Sequence, residues 1–312
     1  ILASLSSESS MMRNDGIKRI ITEYCDPFFI LSLCMQGDIC FVFLFIVFFV
    51  RFGLAGLAMQ RLLSSRIGFG PFFEVLLSVI YSLCSVALLS SASVSIMNLV
   101  ILLPLLLKAF DELIMPESKT ISIRTVLIST LVFASGIHGL VQGLFASVIF
   151  ALFISITRYG RFTGVVRSLA RISLNSLLGI VITAVINIPR FACIEYESLS
   201  PTLFEEGEMN FHFFDLFSSS ASGIAVDSSP YVVPSMYIGV VTLMLIMLLY
   251  LNRNIPIRIK MITMIIAVLT YAVCAYEPLT RILSFAYYSN AGSVARLISL
   301  TVILFAVAGL AR

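Results

Sequence analysis

Apolar runs of 15 to 19 residues recur along the whole chain, and this repetition constrains the fold more than any motif does. They lie at 41–59, 72–90, 94–108, 120–136, 139–157, 172–190, 236–252, 259–276 and 296–311. A helix that crosses lipid needs about 20 mostly apolar residues, with a range of about 17–25. The shorter runs fit helices buried among others. Hydrocarbon supplies no water to backbone groups, so only helices and closed barrels can span it; runs of this length select helices. The fold class expected is therefore all-α, a polytopic transmembrane bundle of about nine spans. Composition agrees: 12% of the residues are charged and 59% hydrophobic, against about 25% charged in a soluble domain. Such a chain cannot cover a surface facing water. A nucleic-acid-binding module, a cytosolic Rossmann enzyme and a disulfide-stapled secreted domain are excluded.

Charge supplies the orientation. Basic residues gather in cytoplasmic loops of membrane proteins. With the first run leading from outside to inside, Arg61, Arg66, Lys108, Lys119, Arg124, Arg158, Arg161, Arg167, Arg171, Arg253, Arg258, Lys260 and Arg312 fall inside, 13 of the 20 basic residues. Acidic residues do the reverse: 13 of 17 fall outside, among them Asp15, Asp38, Glu277 and those of 195–227. The organisation expected is an outer loop with an interfacial helix at 1–40, six spans over 41–190, a second outer loop with a re-entrant or interfacial helix at 191–235, and three spans over 236–312. An outside start at Ile1 leads us to expect a further span before this sequence. The inner loops read as short basic connectors, which leaves chemistry to the outer face.

No soluble-enzyme motif is present: no P-loop, no GxGxxG after a strand, no HExxH, no GxSxG. Six cysteines without a CxxC pair read as small buried hydrophobes, and two histidines are too few for a His-based metal site. No cofactor is expected and no residue is assigned to a metal; the sequence leaves the use of a divalent metal open. The spans hold no carboxylate at mid-depth, which argues against an ion-coupled pump. Arg51 is the one charge near the middle of a run; it either snorkels or faces the bundle interior, or else it contacts a phosphate or lipid headgroup. Asp15 at the outer surface is either a solvated N-cap or a general base for a hydroxyl acceptor. His138, in SGIHGLVQG, sits in an outer turn, as an exposed turn histidine or an outer-face site residue.

Several segments carry a resemblance, in a consistent order. They are VRFGLAGLAMQRLLSSRIGFGPFFEVLLSVIYSLCS, NLVILLPLLLKAFDELI, SGIHGLVQGLFASVIFAL, LNSLLGIVITAVINIPRFACIEYES, YIGVVTLMLIMLLY and EPLTRILSFAYYSNAGSVARLISLTVILFAVAGLAR. Together they resemble the YfhO-like bacterial membrane proteins over most of 40–312. Asn98 stands where many members carry Asp, and SNAGSVAR keeps Asn290 and Arg296 of a family region without its aromatics. The resemblance implies a GT-C glycosyltransferase, multi-pass in the bacterial cytoplasmic membrane, that takes sugar from a polyprenyl-phosphate carrier on the outer face. Such enzymes place a catalytic Asp in the first outer loop. MMRNDGIKRIITEYCDPFF resembles that loop and points to Asp15, with Asp38 as the second candidate. Arg281 and Arg296, flanking the last outer loop, and Arg51 are the candidates for the donor phosphate. The partners implied are a polyprenyl-phosphate-linked sugar and membrane lipid, with other membrane subunits possible and no nucleic acid. The rival reading is a non-catalytic scaffold or lipid-binding subunit of a larger complex.

Overall fold

The computed structural model describes residues 38–64, 71–84, 94–115, 118, 120–135, 139–140, 143–145, 147–149, 151, 162–193, 240–253 and 255–275. Seven helices are set out among them, each lying over one of the predicted runs. They are α1 (Asp38–Ser64), α2 (Pro71–Ser82), α3 (Val94–Ile114), α4 (Ile123–Ala134), α5 (Phe162–Cys193), α6 (Val240–Leu251) and α7 (Ile257–Ala275). The described residues of 139–151 are helical as well, and no strand occurs among the described residues. The predicted surface helices of the two outer loops and the run 296–311 lie outside the described residues.

The helices form because their apolar residues are continuous and because burial is shared between protein and lipid. In α1, Phe52, Ala55, Met59, Leu62 and Leu63 are buried, while Phe45, Ile46, Phe49 and Leu57 on the same helix are more than half exposed. A helix that is apolar all round belongs in a protein core or a membrane. By length and composition, the stretches Phe45–Ser64 of α1 and Gly164–Ile188 of α5 can each cross a bilayer unaided. Helix α4 has 12 residues, about 18 Å at 1.5 Å per residue, well short of a hydrocarbon core of about 30 Å.

Two boundaries differ from the sequence reading. Helix α3 continues six residues beyond the run ending at 108, so Lys108, Asp111 and Glu112 lie on it and not in a connector. Helix α5 starts at Phe162 and carries Arg167 and Arg171 within its first three turns. In both cases charged residues end the hydropathy window before the helix itself ends.

Helices α1, α2 and α3 pack together around Met59, Leu62, Leu77, Leu103, Leu106 and Phe110. Helix α4 packs between α3 and α5. Its contact with α5 is made by a stripe recurring every four residues, Asn175, Gly179, Thr183 and Asn187, all buried. Side chains four apart share a helix face. A Cβ on Gly179 would lie 2.8 Å from the Ser129 Cβ, so the close approach of the two helices requires glycine here. Asn175 accepts from the Ser122 N–H at 3.0 Å and donates to the Thr120 carbonyl at 3.0 Å, just before α4. Asn187 donates to the Phe133 carbonyl at 3.2 Å, in the last turn of α4. The two asparagines thus serve groups at both ends of α4 that its own hydrogen-bond ladder leaves unpaired. Because the earlier residue of α5 meets the start of α4 and the later one its end, α4 and α5 run parallel. That is the relative direction the alternating charges require for the fourth and sixth runs.

Helices α6 and α7 are joined by a five-residue connector, 252–256, and by two side-chain bonds. The Lys260 ammonium donates to the Tyr250 carbonyl at 2.8 Å, capping the last turn of α6, and the Tyr250 hydroxyl lies 3.2 Å from the Thr263 hydroxyl.

Candidate functional site

Two of the residues singled out from sequence fall on α1. Asp38 is its first residue. Arg51 lies 13 residues further on, about 20 Å along the axis at 1.5 Å per residue, so α1 by itself does not bring the pair together. Arg51 is 7% exposed. Of the readings left open, snorkelling to the surface is the one that burial removes: the side chain faces the protein interior, alongside Phe52, Ala55 and Ala58. A guanidinium at such depth costs several kcal/mol in lipid, and enclosure by helices is how an apolar segment accommodates one. Asp15, His138, Arg281 and Arg296 lie outside the described residues.

A second polar position escaped the sequence reading. Pro104 lies inside α3. Proline has no N–H, so the carbonyl four residues earlier loses its helical donor. That carbonyl belongs to Val100, and it accepts a hydrogen bond of 2.7 Å from the hydroxyl of Tyr81 in α2. Tyr81 and Val100 are each 1% exposed, so no water could replace the phenol. The proline and the i−4 rule name the orphaned carbonyl from sequence alone. Only packing shows which side chain answers it.

A third cluster sits where α3 meets α4. The Arg124 guanidinium donates to the Glu112 carboxylate at 2.7 Å, and the Lys108 ammonium lies 3.8 Å from the other oxygen. A cavity of about 330 Å³ opens beside it, lined by Glu112, Leu113, Ser118, Ile121, Ser122 and Ile123. Its carboxylate is engaged by two cations, an arrangement that ties α3 to α4 and offers no nucleophile. Elsewhere buried hydroxyls turn back on their own helices: Ser78 donates to Glu74, Ser147 to Gly143, Ser168 to Gly164 and Thr183 to Gly179, at 2.5–3.0 Å. This back-bonding keeps polar atoms satisfied without water. Among the described residues no three His, Cys, Asp or Glu side chains are grouped as a metal ion would need.

The sequence profile of the bacterial membrane protein YfhO matches residues 24–285, far more than half of the chain. The chain belongs to the YfhO family. It is accordingly a membrane protein, as its apolar helices require. The YfhO match takes in all seven helices, with Asp38, Arg51, His138 and Arg281, whereas Asp15 and Arg296 fall beyond its two ends. No curated protein and no solved structure matches the chain.

Proposed function

We propose that this YfhO-family chain is a glycosyltransferase of the GT-C kind, multi-pass in the bacterial cytoplasmic membrane, transferring sugar from a polyprenyl-phosphate donor on the outer face to modify a cell-envelope glycan. The observation that carries the reading is the YfhO match across residues 24–285, joined to the ordered family-like segments over 40–312. The parallel course of α4 and α5 supports the orientation that puts 1–40 and 191–235 together outside. In the reaction the acceptor hydroxyl oxygen bonds to the anomeric carbon as the bond from that carbon to the phosphate oxygen breaks. Asp15 takes the hydroxyl proton, with Asp38 as the second candidate base, and polyprenyl phosphate leaves. The leaving group carries its own negative charge, so the protein's task is to present positive charge where it develops. Arg281 and Arg296 are assigned to the donor phosphate. Arg51, enclosed among helices, would serve it from below, and His138 is a further outer-face candidate.

The test is transfer of labelled sugar from a polyprenyl-phosphate donor in proteoliposomes. Asp15→Asn is expected to fold normally, because a surface aspartate contributes about 1 kcal/mol as an N-cap, and to lose about 10²–10⁴-fold in rate, the usual cost of removing a positioned base. Arg281→Ala is expected to weaken donor binding and to recover at higher donor concentration, which Asp15→Asn should not. Full activity in Asp15→Asn removes that residue from the mechanism. A wild-type chain inactive with every donor, yet co-purifying with other membrane proteins, favours the scaffold reading.

A further inference from the structure

Helix α5 has 32 residues, about 48 Å of axis at 1.5 Å per residue, against a hydrocarbon core of about 30 Å. One end at least must stand in the headgroup region. The end that starts at Phe162 is the basic one. Arg167 is exposed and Arg171 half-buried, one turn apart and followed along the exposed face by Leu174, Leu177 and Val181, at 40%, 56% and 67% exposure. From Arg171 to Val181 is about 15 Å of helix, the depth of one leaflet.

Among the described residues these cations have no counterion. The sequence has no Asp or Glu from residue 118 to residue 194, and Arg158 and Arg161 precede Arg167. The first turn of α5 carries no acidic residue. Neighbouring Arg124 is already joined to Glu112 at 2.7 Å, and among the described residues neither Arg167 nor Arg171 meets a carboxylate. The frame that carries them is fixed: the Asn175 amide donates to the Arg171 carbonyl at 2.8 Å and to the Thr120 carbonyl at 3.0 Å, binding this turn of α5 to the entry of α4.

We propose that the basic end of α5 docks an anionic phospholipid, its phosphate held by Arg167 and Arg171 and its acyl chains lying along Leu174, Leu177 and Val181. Charge complementarity selects this occupant. Basic positions at a membrane surface attract anionic lipid, and a guanidinium matches phosphate oxygens in a bidentate way. A zwitterionic lipid would cover the same apolar strip without neutralising the arginines. The proposal needs only the membrane setting and stands apart from the transferase reading.

The full chain, purified in zwitterionic detergent, is titrated with short-chain phosphatidylglycerol and, separately, with short-chain phosphatidylcholine while its thermal unfolding midpoint is followed. Phosphatidylglycerol is expected to raise the midpoint at lower concentration, and the advantage should shrink as salt screens the charges. At about fivefold in affinity per basic side chain, Arg167→Gln with Arg171→Gln should move the phosphatidylglycerol curve to roughly thirtyfold higher concentration and leave the phosphatidylcholine curve in place. The corresponding double change to Lys should keep most of the effect. Equal response of the wild type to both lipids overturns the proposal, as does a phosphatidylglycerol curve unmoved in the Gln variant. So does an equal rise with inorganic phosphate alone, which would assign the arginines to a free anion.

Discussion

A proline in a membrane helix leaves a carbonyl without its donor, and at Val100 the replacement comes from one phenol. Tyr81→Phe removes only that hydroxyl. It strands a buried acceptor, a change that costs about 1–3 kcal/mol. Pro104→Ala gives α3 back the N–H that would serve Val100. In the Pro104→Ala background, Tyr81→Phe is therefore expected to cost less than half as much, and thermal unfolding of the four proteins of this cycle measures the difference. An equal cost in both backgrounds would show that the phenol does not answer the proline. The pair also marks the limit of what the sequence reveals. Pro104 and the acceptor at Val100 are legible in it, whereas the donor lies 19 residues earlier on another helix and becomes apparent only in the packing. Arg51 was legible as the one charge near the middle of an apolar run, and its burial then decided which way it points.

Among the elements, α4 shows how a helix too short for the bilayer is held. Its 12 residues match the 12-residue interval between Asn175 and Asn187, so both ends of the short helix meet an amide on the long one. Asn175 makes three hydrogen bonds, two of them to residues at the entry of α4, and Asn187 donates to the Phe133 carbonyl near its end. Asn175→Leu removes all three bonds and is expected to destabilise the chain by about 2–3 kcal/mol, which unfolding in mixed micelles can check. Hydropathy located both helices but gave no sign of the clamp, because two amides scarcely change the average over a 19-residue run. The same averaging cut α3 at residue 108. Lys108, Asp111 and Glu112 lower the window mean, yet backbone hydrogen bonding carries the helix on to Ile114, where the ion pair to Arg124 makes the charges tolerable.

For the whole molecule, the alternation of charge and the parallel pair α4–α5 make a joint statement about sides. With the native cysteines replaced, single cysteines at Ser6 and Ser219 should both react with an impermeant thiol reagent on intact cells, and one at Ser118 should not. Labelling at only one of the first two would break the topology. The seven described helices were legible because each is a continuous apolar run. Less of the site was legible. Residue types suggested Asp15, Asp38, Arg281 and Arg296, but a general base and a phosphate ligand are defined by distance, and distance between loops is not written in hydropathy.

The clamp on α4 also has a consequence for how the chain is made. The groups that Asn187 and Asn175 satisfy belong to a helix that leaves the ribosome before either asparagine exists. Between the end of α4 at Ala134 and Asn187 lie more than 50 residues, roughly 3–10 s of synthesis at about 5–20 residues per second. During that interval α4 is too short to span on its own, and the backbone groups of Thr120, Ser122 and Phe133 lack the amides that later pair with them. The insertion machinery, or the water-filled passage it provides, must hold α4 until α5 arrives, so that two helices distant in the chain enter the bilayer as a single unit.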